Sequence, residues 1–238
     1  VRASVPVRAA DALTAWSLPE DGAISAVGGA WDAQQQTYTF DVISGVTAIA
    51  RFPFTDVPAG SWYYGAAAYA YNNGLFGGTS PTTFAPNAVM SRAMFVTVLW
   101  RLAGAPAPKG VNTFSDVPGG TWYTDAVTWA AENGVVSGIG GGCFAPNSNV
   151  TREQTAVILF NYAHSCGYDV GARADLSGFP DAGSVSGWAQ DALSWANAAG
   201  LINGTVYGGR TILDPQGSAS RAQVAMILRS YAEHVVNA

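Results

Sequence analysis

The sequence predicts a mainly α-helical protein: three tandem helix-loop-helix units behind a short β-hairpin-like N-terminal segment. Three observations carry that expectation. The first is repetition. "FTDVPAGSWYYGAAAYAYNNGLFGG", "FSDVPGGTWYTDAVTWAAENGVVSG" and "FPDAGSVSGWAQDALSWANAAGLING" align from Phe54, Phe114 and Phe179. Each is followed by a second matching block, "TFAPNAVMSRAMFVTVLWRLAG", "CFAPNSNVTREQTAVILFNYAH" and "ILDPQGSASRAQVAMILRSYAE". Such self-similarity marks an array of one supersecondary unit. The second observation is that both blocks of every copy carry helical periodicity. The third is that strand-like alternation is confined to residues 1–53, outside the repeat.

In that leading segment, "WDAQQQTYTFDVISGVTAIARF" alternates and is β-branched, which predicts two or three strands with turns. A lone hairpin is marginal in water, so it should lean on a neighbour or end an upstream domain. The repeats then run over 54–112, 113–177 and 178–238. In the first helix of each, Trp62, Ala66, Tyr69 and Ala70 share one face, as do Trp122, Ala126, Trp129 and Ala130, and Trp188, Ala192, Trp195 and Ala196. Asn73-Gly74, Asn133-Gly134 and Gly200 supply left-handed C-caps. The second helix follows a proline turn (Pro86, Pro146, Pro215). Thr151 with Gln154, and Ser220 with Gln223, form capping boxes; Ser91 can cap, but Met94 cannot complete the box.

Composition narrows the function. Of 238 residues, 49% are apolar and only 11% charged, against about 25% charged in an ordinary soluble domain. No window approaches the ~20 apolar residues of a membrane span. The opening "VRASVPVRAADALTAW" has no signal-peptide centre, so either a leader has been removed or this is a piece of a longer protein. A net charge of −5 argues against nonspecific nucleic-acid binding. Cys143 and Cys166 flank one helix, whose four turns would hold them about 20 Å apart, so they are expected to stay unpaired. Nothing near them has metal-ligand spacing, and no cofactor or metal site is expected. His164 and His234 occupy non-equivalent repeat positions, and no nucleophile elbow, zinc, phosphate-loop or calcium-loop pattern is present. No catalytic residue is expected, and the protein is not read as an enzyme.

Four residue sets recur instead. Arg92, Arg152 and Arg221 each follow the N-cap of a second helix, where the dipole disfavours a cation. One copy would read as a solvated or ion-paired side chain; three copies, beside free helix N–H groups, read as an anion receptor. The loop glycines, among them Gly77, Gly78, Gly138 and Gly204, fit either plain turn chemistry or close approach of a ligand to bare backbone. Trp62, Trp122 and Trp188 fit the buried helix face, although a tryptophan at a helix start can also wall a groove with its edge. Asp56, Asp116 and Asp181 fit caps of the first helix or of the turn before it, with orientation of a neighbour's arginine as the alternative.

With these residues together, the chain resembles the S-layer homology (SLH) family of bacterial surface proteins over about residues 54–236. The most specific likeness is to that family's Thr-Arg-Ala-Glu signature, standing here as Ser91-Arg92-Ala93-Met94, Thr151-Arg152-Glu153-Gln154 and Ser220-Arg221-Ala222-Gln223. The resemblance implies a pseudo-threefold arrangement with grooves between units, and an extracellular module held noncovalently to secondary cell-wall polysaccharide, often through its pyruvate-ketal carboxylate. By that likeness Arg92, Arg152 and Arg221 receive the anion, loop glycines close over the sugar, and the tryptophans line the groove. The departures predict unequal grooves: Glu153 puts a carboxylate beside Arg152, and Leu213-Asp214 replaces Phe-Ala in a longer third loop. The alternative function is a surface-layer protein whose repeats drive lateral self-association.

Overall fold

The computed structural model describes residues 2–6, 13–18, 25–27, 29–32, 37–41, 46–51 and 52–236. They fall into two compact units, 1–86 and 87–238, so that the boundary passes between the two helices of the first repeat.

In the first unit, β1 (Arg2–Pro6), β2 (Leu13–Leu18), β3 (Ser25–Val27), β4 (Gly29–Asp32), β5 (Thr37–Asp41) and β6 (Val46–Arg51) form two antiparallel sheets, ordered β1-β5-β4 and β3-β2-β6. The N-terminal segment is therefore larger than the expected hairpin. Only β4, β5 and β6 lie in the alternating stretch. "RASVP" and "LTAWSL" are too short and mixed to show a period, and they pair far along the chain, Arg2 with Asp41 and Leu13 with Arg51. The helix α1 (Tyr64–Asn72) packs against β3. Buried Phe52, just after β6, sets its ring edge-on to Phe54 (5.2 Å) and Tyr64 (5.4 Å), fastening the end of the sheet to the start of the repeat.

The second unit contains α2 (Arg92–Leu102), α3 (Thr124–Glu132), α4 (Arg152–Ser165), α5 (Gln190–Ala198), the hairpin β7 (Thr205–Tyr207) and β8 (Arg210–Ile212), and α6 (Arg221–Tyr231). The predicted caps are present. Both boxes form, and Ser91 accepts from the Met94 N–H without one. Gly134 and Gly200 take φ of 68° and 71° where α3 and α5 end. The longer third loop is the β7–β8 ribbon. Packing crosses repeats: α2 lies on α3 and α4 on α5, so the second helices of the first two repeats cover the first helix of the repeat that follows. Buried Leu99, Leu159, Leu193, Trp195, Leu228 and Tyr231 fill the core.

The starts of α2, α4 and α6 are joined by a closed cycle of backbone hydrogen bonds. Met90 N–H donates to Ala219 C=O (2.9 Å), Ala219 N–H to Val150 C=O (3.0 Å), and Val150 N–H to Met90 C=O (2.9 Å). Around it, Arg92 N–H donates to Ser148 C=O, Arg152 N–H to Gly217 C=O and Arg221 N–H to Ala88 C=O, each at 2.9 Å. A helix leaves its first four N–H groups without intrahelical partners. Here a carbonyl from another repeat takes the leading one in all three helices.

Candidate functional site

The proline turn ahead of each second helix is the foundation of the site. Ala85, Ala145 and Asp214 each precede a proline and take φ of 58°, 59° and 50°. A non-glycine residue in the left-handed region costs about 1 kcal/mol or more. The aspartates offset that cost. Asp56 accepts from the N–H groups of Phe84 (2.8 Å) and Ala85 (2.7 Å), Asp116 from Phe144 (2.8 Å) and Ala145 (2.7 Å), and Asp181 from Leu213 (2.8 Å) and Asp214 (2.7 Å). They do not cap the first helix, as the sequence suggested; they clamp the strained turn about 30 residues downstream. The bond from Phe144 N–H is the main reason the Asp116 carboxyl is held below its ordinary pKa, and the nearby Arg92 charge adds to it.

Those turns receive the arginines. Arg92 Nε donates to the Phe144 carbonyl (2.9 Å), its guanidinium 4.7 Å over the Phe144 ring, and Arg152 Nε donates to the Leu213 carbonyl (2.8 Å). Arg92, Arg152 and Arg221 are only 6, 4 and 9% exposed, so none is a solvated surface charge. Burial pushes the pKa of Arg92 and Arg152 down, opposed by Asp116 for the first and by Asp214 and Asp181 for the second. Among the described residues, the Nη atoms of Arg92 and Arg152 donate to no protein acceptor. Each stem is fixed through Nε, and the outer fork takes no part in that bond.

For Arg92 the surroundings of that fork lie within the second unit. A groove of about 470 Å³ is lined by Arg92 of the first repeat, Val135–Ile139 and Gln154, Val157, Ile158 and Asn161 of the second, and Trp188 of the third. One cleft thus unites an arginine, a loop glycine and a helix-start tryptophan, three residue types singled out from sequence, each from a different repeat. Ser137, Gln154 and Asn161 were not singled out as site residues. Gln154 had registered only as a capping residue, while Ser137 and Asn161 vary between copies and so carry no repeat signal.

Several expectations change. The tryptophans are not core: Trp62, Trp122 and Trp188 are 65, 60 and 59% exposed. The helical face was read as starting at each tryptophan, but α1 and α3 begin two residues later, and Trp188 sits in a short 3₁₀ turn before α5. The helix-start N–H groups supposed free for an anion are occupied, since Ala93 and Glu153 N–H also donate, to Pro146 and Pro215 carbonyls. Gly78, Gly138 and Gly204 are required sterically. A Cβ would lie 2.4 Å from Phe54 Cε1, 3.0 Å from Phe114 Cε1 and 3.0 Å from Phe179 Cε1 respectively, and closer than 2.9 Å to a facing carbonyl in each case. A Cβ on Gly77 would meet nothing within 4 Å. Glu153 turns away from Arg152: it is buried and accepts from Ser186 N–H and Oγ (3.0 Å each) and from Gln216 Nε2 (2.8 Å). The carboxylates felt by Arg152 are those of Asp214 and Asp181. Cys143 and Cys166 are free thiols, as expected.

The profile of the S-layer homology domain matches residues 53–94, 113–156 and 178–225, once per repeat. The chain is 33% identical over 162 residues to a surface-layer 125 kDa protein of Lysinibacillus sphaericus, covering 68% of this chain and 13% of that protein. It is 32% identical over 177 residues to an endoglucanase of a Bacillus species (74% and 18%), and 30% identical over 210 residues to an amylopullulanase of Thermoanaerobacterium thermosulfurigenes (85% and 11%). It spans less than a fifth of each of these relatives. Among the described residues, no helix is long and apolar enough to cross a membrane.

Proposed function

Since this chain belongs to the S-layer homology family, a noncatalytic anchoring domain of the bacterial cell surface, we propose that it holds an exported protein to the wall by gripping an anionic, pyruvate-ketal-bearing wall polysaccharide in grooves between repeats. The groove around Arg92 is the observation that carries this reading. Its guanidinium is oriented by Nε and offers both Nη atoms, the geometry that suits bidentate recognition of a carboxylate. The loop Val135–Ile139 and exposed Trp188 supply backbone and an aromatic face for a sugar ring. Likeness to both surface-layer proteins and polysaccharide-degrading enzymes is what a common anchor joined to different cargoes would produce.

The backbone cycle through Met90, Val150 and Ala219 joins the starts of the three second helices and supports a pseudo-threefold disposition of those helices. Co-sedimentation with purified wall polysaccharide tests the function. Binding is expected to vanish when mild acid removes the ketal, and Arg92→Ala is expected to lower the number of ligand sites by one. Undiminished binding to the acid-treated polymer would exclude the carboxylate mechanism. The surface-layer relatives also support a second reading, lateral self-association. Concentration-dependent oligomers formed without polysaccharide, and insensitive to the arginine changes, would favour it.

A further inference from the structure

The third repeat carries a feature that the other two lack. Where loops one and two close on the isolated bridges Ser80–Thr83 and Gly140–Cys143, loop three is a ribbon pairing Thr205 with Ile212, Val206 with Thr211 and Tyr207 with Arg210. Its turn, Gly208-Gly209, has φ of 56° and 74°. Left-handed residues at both turn positions match the twist of the paired strands. At its tip Val206 and Tyr207 are 74 and 77% exposed. Directly opposed residues share a sheet face, so Tyr207 and Arg210 project from the same face of the ribbon. Among the described residues Arg210 makes no ion pair and no side-chain hydrogen bond.

Its placement ties the ribbon to a groove. β8 runs directly into Leu213, whose carbonyl holds Arg152 Nε at 2.8 Å. The equivalent loop of the second repeat puts Gly138 and Ile139 in the wall beside Arg92. By strand rise the tip lies about 10 Å beyond Leu213. Electrostatics distinguish this loop as well. Asp214 lies close enough to Arg152 to oppose its charge, and Arg210 adds a cation that neither "GLFGGTSPTTF" nor "GVVSGIGGGCF" contains. On a chain of net charge −5, an anionic polymer is drawn only where such cations stand.

We infer that the β7–β8 ribbon is a second carbohydrate contact, in which Tyr207 stacks on a sugar ring and Arg210 binds an anionic substituent, further along the polysaccharide held by Arg152. This rests on the wall-anchoring reading. The test is an NMR titration of the whole chain with two probes, a ketal-bearing fragment of wall polysaccharide several sugars long and a methyl hexoside carrying one pyruvate ketal. The Tyr207 ring resonances shift with the fragment and not with the hexoside. Tyr207→Ala and Arg210→Gln each weaken fragment binding about three- to tenfold, read from the Leu213 and Asp214 amides, and leave hexoside binding unchanged. If the fragment moves the Trp188 indole while Tyr207 stays still, the ribbon proposal is overturned and the anchoring reading stands. If neither responds, the anchoring reading falls and takes the ribbon with it. A Tyr207 shift that follows protein concentration alone makes the tip a self-contact and also overturns the proposal.

Discussion

Asp116 shows how one side chain can carry a site that it does not line. Both carboxylate oxygens are engaged by adjacent N–H groups, at a residue that is left-handed and precedes a proline. Pro146 already disfavours right-handed helix at Ala145, so the clamp selects among the few conformations left. Releasing it frees the Phe144 carbonyl, and with it the acceptor that aims Arg92. In Asp116→Asn one acceptor oxygen becomes a donor facing the Ala145 N–H. A loss of about 2 kcal/mol in stability is expected, read by urea denaturation at neutral pH. The pH dependence has a definite sign. The folded pKa of Asp116 is depressed below 3.8, so its contribution is full above that value and is lost as pH falls through the folded pKa. The original chain should therefore lose stability below about pH 4. The asparagine variant should lose less over that window, and an equal loss in both would exclude the clamp as a source of acid sensitivity.

Among the elements, the second helices were legible in detail and the first helices less so. A capping box is a local pattern, and Thr151 with Gln154 and Ser220 with Gln223 formed as read. The helix starts at Tyr64 and Thr124 were missed because Trp62 and Trp122 happen to extend the apolar period, and period alone cannot tell an exposed aromatic before a helix from a buried one inside it. The role of the aspartates was hidden for another reason: their partners lie 28 to 33 residues away, beyond any local pattern. Their recurrence was visible, their bonding was not. The same logic identifies an element that can be improved. Ser91 caps α2 alone, because Met94 has no acceptor to return to the Ser91 N–H. Met94→Gln would complete the third box. A gain of about 0.5 to 1 kcal/mol is expected, seen as a raised thermal midpoint. No gain would mean that the Ser91 N–H is already satisfied, and that the box in α4 and α6 is redundant.

At the scale of the whole molecule, the arginines and the backbone cycle have one origin. Each second helix starts against a carbonyl from another repeat, and the side chain following each N-cap is carried into that junction. Arg92 therefore meets Phe144, and Arg152 meets Leu213. The cycle closes only when Met90, Val150 and Ala219 are all in place. Stacked repeats usually behave as a sum of neighbours and can fray from an end. A closed cycle removes the end, and the residues around it should open together. Hydrogen exchange measures this directly. The amides of Met90, Val150 and Ala219 are expected to exchange at one common slow rate, that of global unfolding. In a chain shortened to residues 1–177, Met90 N–H and Arg152 N–H lose the Ala219 and Gly217 carbonyls. The Met90 amide should then exchange about a thousandfold faster or more, the scale set by a stability of about 5 kcal/mol. If Met90 keeps its protection in the shortened chain, the repeats fold as independent neighbours. The groove beside Arg92 would then have to be explained by its own neighbours, without closure.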